Sequence, residues 1–94
     1  MDKVFSFAES FNQPLNNWDV SSVESMWCMF CDAESFNQPL NNWVVDNVKN
    51  MNHMFNCAIK FNQSLENWDI SNVTNMKEMF NGTPIKKLPK WYSN

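Results

Sequence analysis

The sequence predicts an α/β solenoid in which each 25-residue turn holds one short strand and one short helix. Two observations predict it: a gapless internal repeat, and two hydrophobic spacings that alternate inside each repeat. The blocks are FNQPLNNWDVSSVESMWCMFCDAES (11–35), FNQPLNNWVVDNVKNMNHMFNCAIK (36–60) and FNQSLENWDISNVTNMKEMFNGTPI (61–85). The first two agree at 14 of 25 positions. Self-similarity at such a period marks a stacked repeat architecture, in which no unit buries its apolar side without neighbours.

The flanks carry the same pattern. Val4, Phe5 and Ala8 are in register with Met29, Phe30 and Ala33, and Leu88 and Trp91 keep the spacing of Leu15 and Trp18. The chain therefore reads as one repeat domain over 1–94. It opens with a half-unit (1–10), continues through repeats 11–35, 36–60 and 61–85, and ends in a degenerate turn (86–94).

The helix is predicted from the second half of each unit. Val23, Met26, Met29 and Phe30 recur as Val48, Met51, Met54 and Phe55, then Val73, Met76, Met79 and Phe80. Offsets of three, three and one place such a set on one helical face. Ser21 or Ser22, Asp46 and Ser71 precede the set and are suited to cap a helix. A helix of about 8–10 residues is too short to hold without its neighbours. The strand is predicted from Leu15, Trp18 and Val20 and their copies, after Pro14 or Pro39. Stacking puts Phe11, Phe36 and Phe61 in one column and Trp18, Trp43 and Trp68 in another, with methionines filling the space between layers. Asn12, Asn37 and Asn62, and Asn17, Asn42 and Asn67, are expected to hydrogen-bond along the stack.

Composition excludes several functions. The net charge is −3, and the basic residues gather only at Lys86, Lys87 and Lys90. That is not the basic face a nucleic-acid binder needs. No apolar run approaches the roughly 18 residues of a membrane span. The opening MDKVFSFAES lacks the hydrophobic run and small-residue cleavage site of a secretory signal. The compartment stays open between an internal protein and a mature or partial exported chain. Three cysteines are an odd number and make no disulfide framework.

The string F-N-Q-P-L-N-N-W-D-V-S, followed by V-x-x-M-x-x-M-F, resembles the BspA-type leucine-rich repeat surface proteins of bacteria and mycoplasmas. The resemblance spans roughly Val4 to Phe80, and more loosely the terminal turn to Trp91. It implies a leucine-rich-repeat-like, right-handed stack and a role in adhesion or surface binding. It brings no catalytic residues and no cofactor. The chain departs from a typical member in showing no export signal or lipobox.

Candidate contact residues are those that refuse to repeat. Trp27, Asn52 and Lys77 share one column, and Cys28, His53 and Glu78 share the next. Trp27, His53 and Lys77 are the binding-surface candidates, because a large aromatic beside polar groups is a common contact set. Isolated exposed apolar residues are also ordinary. Cys28, Cys31, His53 and Cys57 are donors of the kind zinc takes, brought near one another by the repeat. Drifting surface positions and small buried side chains explain the same residues without a metal, and no metal or cofactor is expected. Sequons at Asn62, Asn72 and Asn81 arise readily in an asparagine-rich repeat. Phosphate-cradling loops, HExxH and nucleophile elbows are absent, and His53 is the single histidine. The expected function is therefore non-enzymatic: a binding or adhesion module for a protein or glycan, or alternatively a spacer or part of a longer array. The state of assembly is left open.

Overall fold

The computed structural model describes residues 1–92. The last two residues of the expected terminal turn 86–94 lie outside the described residues. Among the described residues there is no helix and no extended strand, only turns and two isolated parallel bridges, Ser25–Asn50 and Asn50–Asn75. This corrects the α/β solenoid, the leucine-rich-repeat-like right-handed stack with a helix and a strand per turn: neither element forms among the described residues. The body measures 31 × 26 × 19 Å.

The apolar spacing of three that suggested a helix belongs instead to β-turns. In a β-turn, residues i and i+3 approach within about 7 Å, so an apolar pair at that spacing faces one core from both ends. Met29 donates its N–H to the Met26 carbonyl at 3.3 Å, Cys31 to Cys28 at 3.2 Å and Ala33 to Phe30 at 3.1 Å. The expected strand is likewise a turn. Trp18 donates to the Leu15 carbonyl at 2.9 Å, Trp43 to Leu40 at 3.1 Å and Trp68 to Leu65 at 3.1 Å. Val23, Val48 and Val73 close further turns on Val20, Val45 and Ile70.

Two left-handed residues in each unit exclude the helix outright. Lys3, Cys28, His53 and Glu78 form one left-handed column; Phe7, Asp32, Cys57 and Gly82 form the other. The seven non-glycine members have φ between +52° and +62°. Each costs an L-residue about 1–2 kcal/mol, so packing elsewhere must over-determine them.

The compensation is a ladder of hydrogen bonds to the next unit. Met26, Cys28, Phe30 and Asp32 donate their N–H groups to the carbonyls of Asn50, Asn52, Met54 and Asn56 at 2.8–3.1 Å. Met51, His53, Phe55 and Cys57 repeat this onto Asn75, Lys77, Met79 and Asn81 at 2.7–2.9 Å. Lys3, Phe5 and Phe7 do the same onto Trp27, Met29 and Cys31. The alternate N–H groups close the turns within the unit. Trp27, left over, donates to Asp2 Oδ1 at 3.1 Å. Every N–H from Met26 to Ala33 thus has a partner, without a helix and without a regular sheet.

The side chains stack in the same register. Phe30 lies between Phe5 and Phe55 with ring centroids 5.4 Å away on each side. Phe36 sits 5.9 Å from Phe61, and Trp43 sits 6.5 Å from Trp68. Met26, Met29, Met51, Met54 and Met79 are fully buried among them. Three indoles reach back one unit: Trp43 Nε1 donates to the Leu15 carbonyl at 2.8 Å, Trp68 to Leu40 at 2.9 Å and Trp91 to Leu65 at 3.0 Å. Among the described residues no buried side-chain nitrogen or oxygen lacks a partner.

The asparagines tie the surface of the stack together. Asn12 Oδ1 accepts from the Asn37 N–H at 2.9 Å, and Asn37 Oδ1 from the Asn62 N–H at 3.0 Å. Asn47 and Asn72 donate their amides to the Ser21 and Asp46 carbonyls at 2.7 and 2.6 Å. With no helix to cap, Ser21 and Ser71 donate backbone and hydroxyl hydrogens to Asp19 and Asp69 instead, at 3.0 and 2.6 Å in both units. These bonds hold both carboxyls below the ordinary carboxylate value.

Candidate binding face

Trp27, His53 and Lys77 fall on one continuous strip built by the left-handed column and its neighbours. The Cys28 N–H donates to the Asn52 carbonyl at 3.1 Å, and the His53 N–H to the Lys77 carbonyl at 2.9 Å. The ladder therefore steps from the Trp27–Cys28 pair to the Asn52–His53 pair and on to the Lys77–Glu78 pair. Cys28, His53 and Glu78, all left-handed, have side chains that stay partly in solvent. Lys77 is exposed and Trp27 is half-buried.

Two contacts complete this strip, one from Lys3, which the comparison of the three repeats did not include, and one from Glu78, which stands in the varying column of His53. Lys3 Nζ stands 4.6 Å from the centroid of the Trp27 ring, a cation–π contact that holds the indole against the surface. His53 Nδ1 lies 3.6 Å from Glu78 Oε2 across one unit. Both partners occupy the column of His53, so the repeat register was the signal that could have found them. The strip thus presents an aromatic face between a lysine and an imidazole–carboxylate pair.

The cysteines do not build a metal centre. All three are free, Cys31 is buried, and Cys28 and Cys57 are half-buried. The Cys31 thiol donates to the His53 backbone carbonyl at 2.9 Å, not to its ring. Among the described residues, no group of three or more histidine, cysteine, aspartate and glutamate side chains is arranged to hold a metal. Burial, and then the neighbouring Cys28, Asp32 and Cys57, push the Cys31 thiol up to about 12. A thiol so protonated is a packing group rather than a nucleophile.

A cleft of about 800 Å³ lies elsewhere, between residues 62–66 and the tail 84–90. It is open on one side, and the Lys90 N–H donates across it to Glu66 Oε1 at 3.0 Å. It contains no histidine, no cysteine and no paired carboxylates. Among the described residues no helix is long and apolar enough to cross a membrane.

A protein-family model described as "Mycoplasma protein of unknown function, DUF285" matches residues 1–91. No curated protein and no solved structure matches the chain. With nearly its whole length covered by that one model, the chain belongs to the DUF285 family.

Proposed function

We propose that this chain is a non-enzymatic binding module that presents the Trp27–His53–Lys77 strip to a protein or glycan. One observation carries the reading. The repeated side chains spend their hydrogen-bonding and apolar surface on neighbouring units, whereas the strip gathers the large side chains that do not repeat. An aromatic ring held by a cation, next to a polar pair, suits a flat polar partner such as a sugar or an aromatic-rich peptide. The resemblance of the repeat to BspA-type surface proteins supports an adhesive role.

The test is binding of the purified chain to an array of glycans and purified surface proteins, beside a Trp27→Ala, His53→Ala variant. Both side chains are partly solvated, so the variant is expected to stay folded while losing its signal. Equal signal from both chains refutes the strip as the binding face, and no signal from either favours a spacer.

A further inference from the structure

Cys28 and Cys31 stand at the two ends of one β-turn, the Cys31 N–H donating to the Cys28 carbonyl at 3.2 Å. Such a turn holds its end Cα atoms within about 7 Å, and a disulfide joins Cα atoms about 4.4–6.8 Å apart. The turn thus sets the pair at a separation that a disulfide spans. It is also held from outside. Cys28, Phe30 and Asp32 donate to the Asn52, Met54 and Asn56 carbonyls of the next unit at 2.8–3.1 Å.

The two sulfurs interact, since Cys28 follows only burial among the causes that push the Cys31 thiol up. They differ in access. Cys28 is half-buried, whereas Cys31 is buried beneath it. A dissolved reagent therefore meets Cys28 first. Cys57 is the competing partner for Cys31, but it belongs to the next unit and its thiol points to Asn56 Oδ1 at 3.7 Å.

We propose that Cys28 and Cys31 form a reversible disulfide by exchange with a small-molecule disulfide such as oxidised glutathione. Cys28 gives up its proton to solvent, and its thiolate attacks one sulfur of the reagent. The reagent's S–S bond breaks, and the first glutathione leaves as a thiolate that takes up a proton. Cys31 then lets go of the His53 carbonyl, which its thiol meets at 2.9 Å, and attacks Cys28 Sγ. The Cys31 proton leaves with the second glutathione. Both cysteines are oxidised, and the reagent is reduced to two thiols. Cys31 is shielded from external reagents, but this attack needs none to enter, because the turn supplies the partner at high effective concentration. A ring of four residues restrains the unfolded chain only weakly, so excess reduced glutathione reopens the bond.

The test equilibrates the native chain with reduced and oxidised glutathione in varying ratio, quenches with acid and maps the tryptic peptides without reduction. Cleavage after Lys3, Lys49 and Lys60 leaves Cys28 and Cys31 together in peptide 4–49 and Cys57 in peptide 50–60. Peptide 4–49 is expected to become lighter by two hydrogens at high oxidised glutathione and to recover its mass in excess reduced glutathione. Cys57→Ser should keep this change. Cys28→Ser should abolish it and leave Cys31 unmodified. Circular dichroism checks that both serine variants are folded, and the wild-type peptide map decides the matter if one is not. A cross-link between peptides 4–49 and 50–60 overturns the proposal. So does a glutathione adduct that persists on Cys28, or a peptide 4–49 unchanged at every ratio.

Discussion

Replacing His53 by glycine and by alanine separates the turn-built backbone from a helical one by the sign of a single difference. His53 has φ +57°, and its side chain is 30% exposed with one long contact to Glu78. Both variants lose the same ring, so their difference reports the backbone alone. A left-handed alanine costs about 1–2 kcal/mol that glycine avoids. Glycine gives back about 0.5–1 kcal/mol through the entropy of its unfolded chain. The glycine variant should therefore be the more stable by about 0.5–1 kcal/mol. In a domain of this size that is a difference of roughly 2–8 °C in Tm. Had residues 48–55 formed a helix, alanine would win by about 1 kcal/mol. Thermal melts and urea titrations of the two variants give the answer. An alanine variant equal to or more stable than the glycine variant refutes the left-handed turn at this position.

Trp43→Phe removes the indole N–H that reaches the buried Leu15 carbonyl, and should destabilise by about 1–2 kcal/mol in urea unfolding. Trp18→Phe, at the open end with no donor bond among the described residues, should fall within about 0.5 kcal/mol of wild type. Asp19 and Asp69 have folded pKa values lowered by the hydroxyl and backbone hydrogens of Ser21 and Ser71. Their stabilising contribution is complete above the ordinary value of 3.8 and disappears as pH falls through the lowered folded values. Asp19→Asn with Asp69→Asn should flatten that acid limb of a Tm-against-pH curve and leave its alkaline side unchanged. Cys31, buried and pushed up to about 12, should resist iodoacetamide at mildly alkaline pH until the chain is unfolded in urea. Mass mapping of the alkylated residue reads this directly.

The register of the stack was legible in the sequence, whereas the backbone conformation was not. Identical letters at a fixed period put Phe30 under Phe55 and Trp43 under Trp68, and the rings stack there. The same holds for the amides of Asn12 and Asn37, which link consecutive units as their repetition suggested. The helix and strand were misread for one physical reason. Met26 and Met29, like Leu15 and Trp18, are three apart, and a helical face and a β-turn bring residues at that spacing together equally well. What excludes the helix is the left-handed column through Cys28, His53 and Glu78, and none of these is a glycine. Gly82 alone advertises such a conformation, at φ +83° in the column of Asp32 and Cys57. Of the candidate face, Trp27, His53 and Lys77 were legible as positions that break the repeat. Glu78 was legible in the same way, as the neighbour of His53 in its varying column, whereas Lys3 was not, because its role comes from the register that brings it beside Trp27.

The most direct measurement of the turn ladder is scalar coupling across hydrogen bonds in an isotope-labelled sample. Coupling is expected between the Phe30 N–H and the Met54 carbonyl, and between the Phe55 N–H and the Met79 carbonyl, where the distances are 2.8 and 2.9 Å. Coupling from the Phe30 N–H to the Met26 carbonyl, four residues back as in a helix, would contradict it.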